Sequence, residues 1–244
     1  MMIQSINLSN PHPLHLFDGE LGSLHSLLLE MTDLLMYQIE QTLHALDFGD
    51  IELALKVIAR DRKVDSYQTR IENEVRSVLA RRGTTPNDLR LVMLISKITH
   101  ALEKLGNEIG DLSFQIKTIF DHNNSRNDHS LMTEIFEIGG MIKIMLDKMM
   151  VVLETRNSNQ AYKVIQIGWK CDTRLQQTLK HHLSMTVLDT PAIEYTLDIM
   201  QLLKLLERST GLCRNIAEYQ ILMLDSIDIR KHTSPTTFNA CLAS

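Results

Sequence analysis

What most limits the fold of this chain is that its sequence repeats itself. Ala54-x-x-Val57-Ile58, followed by Val64-Asp65, returns as Ala161-x-x-Val164-Ile165, followed by Cys171-Asp172, at an offset of 107. Thr85-Pro86 returns as Thr190-Pro191 at an offset of 105, and Glu103 as Glu207 at an offset of 104. Three offsets that differ by no more than three residues mark one structural unit used twice.

Each copy carries helical periodicity. In the stretch Thr85 to Phe120, Ile98, Leu102, Leu105, Ile109, Leu112, Ile116 and Ile119 alternate steps of four and three, the spacing of a seam buried between helices. The same stepping predicts helices from about Gly19 to Leu46, from Ile51 to Arg82, from Leu131 to about Glu154, from Gln160 to about Met185, and from Asp189-Thr190-Pro191 to about Ile229. Leu55, Ile58, Ile71, Val75 and Val78 make the apolar face of the second. Punctuation agrees with this division. Asp50 is an N-cap, Gly83 stands where a C-terminal glycine belongs, and Thr85-Pro86 with Asp88 reads as a capping box with proline at N1. The expectation is an all-α fold, two tandem three-helix units forming an elongated six-helix bundle with a pseudo-two-fold internal repeat. The divisions are a loose leader over 1–18, a first unit over 19–120, a polar linker over 121–130, a second unit over 131–229 and a flexible tail over 230–244.

Composition narrows the function by exclusion. A formal charge of −5 gives no reason to expect nucleic acid as a partner, and the basic clusters Arg60-Asp-Arg62-Lys63 and Arg81-Arg82 read as solvated helix faces. Cys171, Cys213 and Cys241 are odd in number and far apart, which suits a reducing compartment without a disulfide framework or zinc ribbon. The N-terminus lacks the basic start and apolar run of a signal peptide. The most apolar stretch, Gly139 to Leu153, is interrupted by Lys143, Asp147 and Lys148 and is too short to span a bilayer. These features predict a cytoplasmic protein. No Gly-x-Ser-x-Gly elbow, dinucleotide fingerprint or phosphate-binding loop is present. No histidine has a glutamate three residues before it, as a di-iron bundle would need, and His181-His182 reads as an exposed pair. With no nucleophile and base to nominate, an enzyme is not expected.

What remains is a set of helical segments in which residues four apart share a face and carry acids. Asp88-Leu89-Arg90 with Leu-Val-Met-Leu-Ile-Ser-Lys97, the segment Glu103-Lys-Leu-Gly106-Asn107, Leu206-Glu207-Arg208, and Cys213-Arg-Asn215-Ile216-Ala-Glu218 together resemble the PhoU family, as does Ala54 to Asp65. The resemblance covers nearly the whole chain. It implies a cytoplasmic, non-enzymatic negative regulator of the phosphate-starvation response and of phosphate uptake. Such a regulator couples the ATPase subunit of a phosphate ABC transporter to a phosphate-sensing histidine kinase and often dimerises with itself. Neither nucleic acid nor direct membrane insertion is expected.

Some PhoU-like proteins also hold metal clusters on paired acids, and the resemblance places those pairs here. The first is intact as Asp61 and Asp65. The second keeps Glu103 but has Asn107 for the acid, the third has Gly168 before Asp172, and the fourth has Glu207 before Gly211. Three carboxylates thus remain in the first half and two in the second. Hard cations need several oxygen ligands, so no cofactor is expected beyond weak divalent-metal or iron binding in the first half. A metal-responsive helical bundle is the alternative reading, and a paralogue serving another transporter or kinase is a further one. Salt bridges with Arg62, Lys104 or Arg208 are the structural alternative for these acids.

Overall fold

A computed structural model describes residues 13–80, 86–122, 129–186 and 193–226. Among these the chain is helical, without a strand. The first unit consists of α1 (Pro13–Phe48), α2 (Ile51–Ile58), α3 (Asp61–Ala80) and α4 (Pro86–His122). The second consists of α5 (His129–Thr155), α6 (Ser158–Thr186) and α7 (Ile193–Asp225).

Several boundaries differ from the periodicity. The helix expected over 51–82 is broken at Ala59 and Arg60 into α2 and α3. There Arg60 N–H donates to Val57 O at 3.0 Å and Lys63 N–H to Arg60 O at 2.9 Å, three-residue steps that tighten the turn. Leu55 is exposed rather than part of the apolar face, which Ala54, Val57 and Val64 form instead. Helix α1 starts at Pro13, inside the stretch read as a leader, where proline at the first turn lacks only an N–H that the helix would leave unpaired. The helices flanking the polar linker reach into it, to His122 and from His129. Helix α7 ends at Asp225, where Ser226 takes a φ of 62°, short of the expected Ile229. Gly83, Thr85, Thr190-Pro191 and the tail lie outside the described residues.

Between α1 and α2 the reversal is made by Gly49 at a φ of 65°, and the Asp50 side chain accepts from Leu53 N–H at 2.9 Å. That positive φ suits glycine, and the cap satisfies a donor at the start of α2.

The α4 seam read from the sequence is buried throughout, from Ile98 to Ile119. At 37 residues α4 is roughly 55 Å long. It packs on α7, its counterpart in the second unit, while α1 packs on α5. Helices α3 and α6 lie outside this central layer, α3 against α1 and α4, α6 against α5 and α7. A single apolar core joins the two units, running from Leu24 on α1 to Ile221 on α7, and includes Met145 and Met149 of α5.

Polar links cross the same seams. Gln115 Nε2 donates to Asp198 Oδ1 at 2.9 Å between α4 and α7, and Lys143 Nζ lies 2.5 Å from Glu40 Oε1 between α5 and α1. At Gly139 a Cβ would stand 2.3 Å from Leu43 Cδ2, so α5 meets α1 through a position with no side chain.

Candidate metal positions and their neighbours

The early acids lie on α3 in the first unit and α6 in the second, and the later ones on α4 and α7. Their registration is set by a buried contact that differs between the units. In the first, Val64 on α3 faces Gly106 on α4, where an added Cβ would lie 3.0 Å from Val64 Cγ1 and 3.2 Å from Leu35 Cδ2. In the second, the equivalent residues are Cys171 and Thr210, whose Sγ and Oγ1 lie 3.1 Å apart. A larger residue facing glycine has become a smaller one facing threonine, which keeps the helices in contact with a different division of volume.

Beside the first contact, Glu103 Oε1 accepts from Asn107 Nδ2 at 2.7 Å, and Glu103 Oε2 lies 3.6 Å from His100 Nδ1. Asn107 therefore turns its amide nitrogen to Glu103 and uses it as a donor. Asp65 is exposed on α3, and the side chain of Asp61 lies outside the described ones. Among the described residues no three His, Cys, Asp or Glu side chains converge as a metal ion would require.

In the second unit Asp172 and Glu207 have cationic neighbours. Arg214 Nη1 donates to Asp172 Oδ2, and Lys204 Nζ lies 2.6 Å from Glu207 Oε2. These four side chains border an open groove of about 330 Å³ between α6 and α7, floored by Leu175, Leu179 and Leu203. At Gly168 an added Cβ would lie 2.6 Å from Arg214 Cγ. Gly211 has nothing within 4 Å of an added Cβ. The donor set here, two carboxylates each held by a cation, does not fit a multinuclear metal site.

The partners differ from the salt bridges expected. Arg208 pairs across to Glu108 of α4, with Nε and Nη2 both 2.9 Å from Oε2, and not with Glu207. Burial pushes the Glu108 carboxyl above its ordinary value, with Arg208 opposing the shift. Arg214 was the neighbour that sequence spacing did not indicate. It lies 42 residues from Asp172, and no local pattern links the two.

The histidine pair divides. His181 is exposed, with Nδ1 3.5 Å from Glu134 Oε1, whereas His182 is buried edge-on to Tyr195, ring centroids 6.1 Å apart. Burial pushes both the Cys171 and Cys213 thiols up, which keeps them protonated and unreactive at neutral pH.

The model of the PhoU domain matches residues 28–116 and again 135–220. A phosphate-specific transport system accessory protein PhoU homologue of Pseudomonas aeruginosa is 28% identical over 214 residues, covering 88% of this chain and 87% of that protein. The PhoU protein of Escherichia coli is 25% identical over 228 residues, covering 93% and 92%. Among solved structures, PhoU from Pseudomonas aeruginosa superposes with a TM-score of 0.81 at 27% identity, covering 86% of this chain and all of that one. The phosphate transport system regulatory protein PhoU from Streptococcus pneumoniae, at 21% identity, has the same fold with a TM-score of 0.77.

Proposed function

Because this chain belongs to the PhoU family, we propose that it is a non-enzymatic negative regulator of phosphate uptake and of the phosphate-starvation response, coupling a phosphate ABC transporter to a sensor histidine kinase. The observation that carries this reading is the double match of the family domain, 28–116 and 135–220, on a chain that aligns along most of its length with accessory proteins of phosphate-specific transport. Its mode of action is contact. The ATPase subunit of the transporter and the kinase are the proteins it touches, and it works in the cytoplasm as a homodimer. In keeping with a peripheral role, no described helix is long and apolar enough to cross a membrane.

Deletion of the gene in cells grown with ample phosphate is expected to switch on phosphate-starvation promoters, and a plasmid copy to switch them off again. Unchanged reporter output in the deletion strain would refute the regulatory role. Pull-down of the transporter ATPase and the kinase on immobilised protein, with and without phosphate, separates the two contacts.

A further inference from the structure

The two units are not equivalent at the place where α6 meets α7. An added Cβ at Gly168 would lie 2.6 Å from Arg214 Cγ, 2.7 Å from its Cδ and 3.3 Å from Met145 Cε. The first two are separations that non-bonded carbon atoms do not sustain, so a side chain at 168 would force the arginine stem out of its path across α6. Along that path Nη1 reaches Asp172 Oδ2, and both side chains are largely covered, 25% and 29% exposed. In the first unit the residue equivalent to Arg214 at the offset of 104 is Gly110, which has nothing within 4 Å of an added Cβ. The arginine is thus a property of the second unit alone.

A guanidinium stays charged at any accessible pH and can give a carboxylate directed hydrogen bonds as well as charge. A divalent ion approaching Asp172 would have to displace it from a partly buried, hydrogen-bonded pair, and would gain few oxygen ligands by doing so. We infer that Arg214 is a built-in counter-ion standing in a metal cation's place between α6 and α7, with Gly168 as the vacancy that admits it. The second unit therefore joins these helices without divalent metal.

Metal-stripped full-length protein is melted with and without millimolar Mn²⁺, alongside Asp172→Asn, Arg214→Gln and their double variant. The single variants are expected to lower the midpoint by several degrees. The double variant should fall no further than the worse single, as expected when both changes remove one interaction. Any Mn²⁺ shift of the natural protein should survive Asp172→Asn unchanged. In a Gly168→Asp, Gly211→Asp, Arg214→Ala chain, Mn²⁺ should raise the midpoint, and adding Asp172→Asn should abolish that rise. A Mn²⁺ shift of the natural protein that Asp172→Asn removes would overturn the inference. So would additive single effects, or a cooperatively melting triple variant indifferent to Mn²⁺. Should the triple variant fail to fold, the natural protein and the two-residue cycle still decide.

Discussion

Gly49 is a residue whose replacement has two separate costs. Its φ of 65° is one that an L side chain adopts at about 1–2 kcal/mol, and an added methyl would also stand 3.1 Å from Phe120 Cε1. Gly49→Ala is expected to destabilise the protein by at least that amount in urea denaturation, and an unchanged midpoint would count against the turn geometry. Glu108 offers a test of charge. Its carboxyl is raised, mainly by burial, so the folded state holds the proton more tightly than the unfolded state does. The stability this contributes is fully present below the ordinary glutamate pKa, about 4.3, and is lost as pH rises through the higher folded value. Glu108→Gln removes that titration, so its stability relative to the natural protein should improve as pH rises across this window. Chemical denaturation at a series of pH values reads the difference, and parallel curves would contradict it.

At the scale of elements, the two helix pairs that carry the acids differ by a matched exchange, Val64 against Gly106 and Cys171 against Thr210. Gly106→Thr alone should overpack against Val64, whose β-branched side chain has little freedom to turn aside, at a cost of about 1–3 kcal/mol. Val64→Cys with Gly106→Thr should recover most of that loss in thermal melts, and failure to recover would mean that the two units register their helices differently. The helices themselves were legible because the four-and-three spacing of Ile98 to Ile119 records which face is buried. The break at Ala59 and Arg60 was not. Ile58-Ala59-Arg60-Asp61 contains neither glycine nor proline, and its residues suit a continuous helix, so the turn is a tertiary effect. The acids were expected from the family resemblance, as were the glycines at two of the positions it implies. What Gly168 admits was hidden, because the contact with Arg214 depends on how α6 lies on α7 and not on any spacing along one helix.

For the molecule as a whole, the decisive feature is that the core is shared. The α4–α7 and α1–α5 seams bury residues from both units in one cluster, with Leu43 of α1 closing on Gly139 of α5. Neither unit owns its apolar surface, so the chain is expected to unfold in one cooperative transition. Differential scanning calorimetry should give a single peak whose van't Hoff and calorimetric enthalpies agree, and two resolved peaks would show independent units.

The exchange between Val64–Gly106 and Cys171–Thr210 also bears on heredity. Once a duplicated gene has drifted by paired changes, its halves no longer supply spare parts to each other one codon at a time. A recombination point between codons 64 and 106 would separate two partners and produce a misfit, whereas one falling between α4 and α5 would pass each pair on whole. Inheritance of this chain is thus expected to be modular at the junction of its units and indivisible within them.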